Sequence, residues 1–128
     1  MVRTILGVVL GIVAWVATVA LITVVLASAM PAVDTALKVH STAAAMAERL
    51  AISAVGSLIG GWLAATVGRS QRAALITGIV MLVIFVPYHL FGSDMQGKIW
   101  TSFPLWYHLT FFVSLPLLAI LGGRLARR

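Results

Sequence analysis

Two short triplets carry the side chains best suited to chemistry in this chain, Tyr88-His89-Leu90 and Tyr107-His108-Leu109. Imidazole is the side chain whose unperturbed charge change falls near neutral pH, and it also binds metals and polar ligands. His89 lies 17 residues beyond Arg72, and His108 lies 16 residues before Arg124. At about 1.5 Å per helical residue, both imidazoles reach the same level, roughly 24–26 Å above a plane of arginines. Glu48 and Arg49 fall within a turn or two of that level, and His40 can fold over from the connecting segment. The candidate polar site is therefore Glu48, Arg49, Tyr88, His89, Tyr107 and His108.

Three chemistries suit this set. The first is an interfacial belt, in which Tyr88, Trp100, Trp106 and Tyr107 sit at headgroup level and Glu48–Arg49 is a border charge pair. The second is a polar ligand or ion site with Glu48, Arg49, His89 and His108 as binding or gating groups, since ionisable residues inside spans are functional by default. The third uses His89 and His108 as the two ligands of a haem b, or of a metal joined by His40 or Glu48. No HExxH-like spacing accompanies the histidines, so the reading assigns no cofactor and no metal, with haem b as the alternative.

Catalysis has little to draw on. With no cysteine, thiolate nucleophiles, thiolate metal sites and disulfides are excluded. The acids are Asp34, Glu48 and Asp94, each alone. No nucleophile–base pair, phosphate-binding loop or carboxylate pair can be drawn, so no catalytic residue is assigned and the chain reads as a non-enzyme. No acid falls at mid-span, which argues against a proton-coupled antiporter.

These side chains need elements to hold them. Hydrophobic residues are 62% of the chain and charged ones 9%, too apolar a mixture for a soluble domain of 128 residues. Four segments lack Asp, Glu, Lys and Arg: Thr4–Val33, Leu50–Gly68, Ala73–Ser93 and Ile99–Gly123, of 30, 19, 21 and 25 residues. A membrane span takes about 20 apolar residues. The pattern predicts one all-α integral membrane domain over residues 1–128. Its four transmembrane helices fall at about 4–30, 47–68, 72–91 and 103–125, as two antiparallel hairpins in one bundle. Residues 31–46 read as an extramembrane helix, lying on the interface or extending the second span. The first span is too long for the apolar region of a signal peptide and reads as uncleaved.

The net charge of +6 is one-sided. With the N-terminus inside, Arg3, Arg69, Arg72, Arg124, Arg127 and Arg128 share one face, while the charges on the other sum to zero. The positive-inside bias then gives cytoplasmic N- and C-termini in a bacterial inner membrane. The same clustering leaves no basic stripe for nucleic acid, so the lipid bilayer is the expected partner.

The second span is the packing spine. Ser53, Ser57, Gly61 and Ala65 form one row of small residues at fourth positions, and Gly56, Gly60, Ala64 and Gly68 form another. Small residues let helix backbones approach closely in lipid. Gly7 and Gly11 add a GxxxG on the first span. The expected packing residues are Gly7, Gly11, Ser53, Gly56, Ser57, Gly60, Gly61 and Ala64. Trp15, near mid-span, needs a partner for its indole N–H. Gly68 is expected as a C′ glycine, Thr101 or Ser102 as the cap of the last helix with Pro104 at N1, and Pro116 as a kink.

Gly60, Gly61, Arg69, Pro116, Gly122 and Gly123 together give a layout that resembles a loose group of small, uncharacterised four-helix bacterial inner-membrane proteins. That resemblance implies a four-helix fold and no activity. The small-residue surface exceeds what one bundle would be expected to consume. The function expected is therefore helix association, as an accessory subunit of a membrane complex or a homo-oligomer, with other membrane chains or itself as partner. A small channel or transporter with a polar site near the outer interface is the alternative.

Overall fold

A computed structural model describes residues 1–31, 42–94 and 97–127. It is helical almost throughout: α1 is Val2–Ala29, α2 Ala43–Gly68, α3 Gln71–Phe91, α4 Ile99–Ser102 and α5 Leu105–Leu125. The four long helices are each long and apolar enough to cross a membrane. Most of the segment expected at 31–46 lies outside the described residues, as do His40 and Lys38. Its last turn belongs to α2, which starts at Ala43 because Thr42 caps it, the hydroxyl accepting from Ala45 N–H at 3.2 Å.

α2 touches every other long helix, and its two rows of small residues face different neighbours. One row meets α1. A Cβ added to Gly7 would lie 2.5 Å from the Ala64 carbonyl oxygen, and one added to Gly11 would lie 2.7 Å from that of Gly60. In the other row Gly61 meets α5 at the backbone of Ala119, with Gly122 against the Leu58 carbonyl, while Ser57 reaches α1. Both rows are thus taken up within the bundle, and Ser57 does more than stay small. Trp15 Nε1–H donates to Ser57 Oγ at 3.2 Å, and Ser57 Oγ donates to the Ser53 carbonyl at 2.8 Å. The expected indole partner is therefore a serine of the ribbon.

Between the rows lies a core of Trp15, Met81, Phe111, Leu115 and Ala119. Phe85 joins it with its ring 4.9 Å from Trp15 and 5.6 Å from Phe111. At the end bearing the histidines, Met46, Ile99, Phe103 and Tyr107 form a second cluster over Leu50. At the opposite, arginine-bearing end, Gln71 Nε2 donates to the Ile120 carbonyl at 2.7 Å and ties the α2–α3 turn to α5.

Several local expectations need correction. Gly68 is the last residue of α2 rather than its C′ residue, and Arg69 takes the left-handed conformation at φ 49°. Gly68 is needed for space, since a Cβ there would lie 2.6 Å from that of Ala73. Thr101 and Ser102 do not cap α5. Both donate back to the Lys98 carbonyl, at 3.1 and 2.8 Å, within the short α4. Pro104 occupies the N-cap position and Leu105 begins α5. Both α3 and α5 run on through their prolines, and α3 approaches α5 at Pro116 across Gly78. The polar loop holds a small antiparallel ladder, β1 Ser93–Asp94 with β2 Gly97–Lys98, that the all-helical reading omits. Gly97 has φ +115°, open to glycine without strain.

Candidate functional site

His89 stands two residues after Pro87 on α3, and His108 stands on the first turn of α5. Their Nδ1 atoms are 2.9 Å apart, and the residues are 5% and 1% exposed. Aromatic rings enclose the pair. Phe111 stacks on His89 with centroids 4.6 Å apart, and Trp100 stacks on His108 at 4.5 Å. Tyr107 and Phe112 complete the surround.

The hydrogen bonds assign the tautomers of neutral rings. His108 Nε2 lies 3.3 Å from the Trp100 carbonyl oxygen, which can only accept, so Nε2 carries the proton. His108 Nδ1 then accepts, and His89 Nδ1–H donates to it. The His89 Nε2 lone pair remains at the end of this relay. That lone pair can accept a hydrogen bond. As placed, the two rings close on each other through their Nδ1 atoms. Among the described residues no third His, Asp or Glu joins the pair to make a metal-binding group.

The other expected site residues divide. Tyr107 points inward and is 5% exposed, while Tyr88 is 51% exposed and meets His89 by its edge, with centroids 6.0 Å apart. Tyr88, Trp100 and Trp106 thus keep an outward-facing belt that Tyr107 leaves. Glu48 is half-buried and forms no ion pair among the described residues. Arg49 makes no hydrogen bond to the histidines and lies over the Phe103 ring, its guanidinium carbon 5.0 Å from the centroid.

Arg49 instead enters a half-open cleft of about 190 Å³ between three helices. Trp15, Val19 and Thr23 line it from α1, Arg49 and Ser53 from α2, and Tyr107 and Phe111 from α5. Tyr107 and Phe111 also stack on His89, so cleft and histidine pair share a wall. Ser53 is 4% exposed and its Oγ has no hydrogen-bond partner. Sequence reasoning placed Ser53 among packing residues. Its position four after Arg49, one turn on along the same face, is the signal that links it to the site.

No protein-family model, curated protein or solved structure matches this chain. The functional reading therefore rests on the residues themselves.

Proposed function

We propose that the chain is a non-enzymatic integral membrane protein that binds a ligand with a polar group at the outer end of its bundle, as a small binding or transport component. The observation that carries this reading is the cleft, where a guanidinium and an unpaired buried hydroxyl share a mostly apolar recess. Concave, mostly apolar sites with a few convergent polar groups are the usual form of small-ligand sites. The arginine distribution supports a bacterial inner membrane with both termini cytoplasmic, which puts the cleft and the histidine pair in the outer half. A continuous pore gains no support, because Met81, Phe111 and Leu115 fill the bundle below the pair.

Association with a second chain is a further reading. Spare small-residue surface gives it little support, because both rows are covered by α1 and α5. What favours it is the outward ridge of Ile5, Val9, Val13 and Val16 on α1, a face that lipid covers equally well.

Gentle purification from native membranes, followed by identification of everything bound, tests the ligand reading. A small molecule retained in stoichiometric amount, and lost when Ser53→Leu fills the cleft, is the expected result. Preparations that carry no such molecule, and that bind none when offered cell lipid and metabolite extracts, would overturn it. A co-purifying protein chain retained by Ser53→Leu would move the reading to assembly.

A further inference from the structure

We infer that the cleft takes the head of an anionic amphiphile, a carboxylate or phosphate carried on a hydrocarbon chain, with Arg49 and Ser53 as the head-binding groups; this rests on the ligand-binding reading above and names its chemistry.

The first observation is an unused proton on Ser53. Serine and threonine inside helices commonly hydrogen-bond the carbonyl four residues back. Thr23, Ser57, Thr66 and Thr77 all do so here, each at 2.8 Å. Ser53 does not donate to the Arg49 carbonyl or to any other acceptor, although it is buried. A hydroxyl hidden from water without a partner is costly, and a rotation about χ1 that brings Oγ to an acceptor in the cleft removes the cost.

The second observation is the charge. Arg49 is half-buried, and no carboxylate pairs with it among the described residues. Glu48 is the next residue on the helix and so points about 100° away. Phe103 covers one side of the guanidinium, which leaves its N–H fork for a planar or tetrahedral oxyanion. Trp15 contributes no polar group, because its N–H is held by Ser57.

The third is size and polarity. At about 190 Å³ the cleft slightly exceeds the roughly 150 Å³ cavity known to hold a benzene. It accepts a head and a few carbons, and the rest of a chain runs out of the open side along α1 into lipid. An ion without an apolar tail leaves Val19, Trp15 and Phe111 uncovered. A neutral amphiphile leaves Arg49 unpaired.

The test uses the full-length protein in a neutral alkyl maltoside, with 12-bromododecanoate as probe and, as readout, the part of the tryptophan quenching that Trp15→Phe removes. The brominated chain should quench saturably. Dodecanoate and dodecyl phosphate should compete, and dodecanol should not. Arg49→Gln should weaken binding tenfold or more, Arg49→Lys less, and Ser53→Ala a few-fold. A thermal melt of each variant separates lost binding from lost fold. Stronger competition by phosphatidylglycerol than by dodecanoate supports the inference with a lipid headgroup as the source, and the converse supports it with a free fatty acid. Equal competition by dodecanol overturns the anionic head while leaving ligand binding standing. Displacement by inorganic phosphate alone overturns the amphiphile. No saturable quenching by 12-bromododecanoate, together with none by 12-bromododecanol, overturns this inference and the ligand-binding reading together.

Discussion

At the scale of single residues, Ser53 and the histidine pair make opposite predictions. Ser53 Oγ is buried and unpaired, so Ser53→Ala is expected to stabilise the ligand-free protein, by about 1 kcal/mol from the removed desolvation penalty. A higher melting temperature with weaker ligand binding is the signature, and a lower one would show that the hydroxyl has a structural partner. His89 and His108 satisfy each other. His89→Phe or His108→Phe alone strands the remaining imidazole, at about 1–3 kcal/mol. The double variant should cost less than the sum of the two, and a double-mutant cycle on thermal unfolding that gives no coupling would overturn the bond. Nitrogen NMR should find the proton on Nε2 of His108 and on Nδ1 of His89. The common level of the two histidines was legible from their distances to Arg72 and Arg124, since helix rise is nearly constant. The direction of Tyr107 was not, because a tyrosine suits a headgroup belt and an aromatic core alike.

At the scale of elements, the spine reads differently once its neighbours are known. Replacing Gly56 and Gly60 with Leu distinguishes packing within the bundle from association between chains. Both glycines pack inside the bundle, with a Cβ on Gly60 only 2.7 Å from the Gly11 carbonyl oxygen. The expected outcome is loss of the monomeric fold itself, seen as early unfolding on a size-exclusion thermal series. A properly folded protein that only changes oligomeric state would restore the association reading. Gly61→Ala and Gly122→Ala each push a methyl into facing backbone and should cost about 1–3 kcal/mol or more. Gly97→Ala meets nothing, and its cost comes from φ +115° alone. The rows themselves were legible because a period of four needs no tertiary knowledge. Which helix covers each row was not, because glycine carries no side-chain information about its neighbour. The end of α2 misled for a related reason: Gly68 suits a left-handed cap, yet tight packing on Ala73 holds it inside the helix and hands the turn to Arg69.

At the scale of the whole molecule, topology is open to direct test. The chain has no cysteine, so single-cysteine variants need no prior removal. Ser93→Cys on the β-ladder should react with a membrane-impermeant maleimide from outside intact spheroplasts, and Ala126→Cys only after lysis. The reverse pattern would invert the orientation and put the cleft on the cytoplasmic side. The spans were legible because water-soluble folds cannot hide so many apolar residues. The cleft was not, since three helices line it and no local pattern records that.

The glycine contact between α1 and α2 also determines what can pull this molecule apart. Gly7 and Gly11 meet Ala64 and Gly60 backbone to backbone, a joint made by close fit rather than by escape from water. In a bilayer the competitor for that joint is an acyl chain. Urea should therefore leave α1 docked at concentrations that unfold soluble bundles. Small, slender solvents such as short-chain detergents or alcohols should loosen it first, and α1 should be the first helix to become accessible to protease.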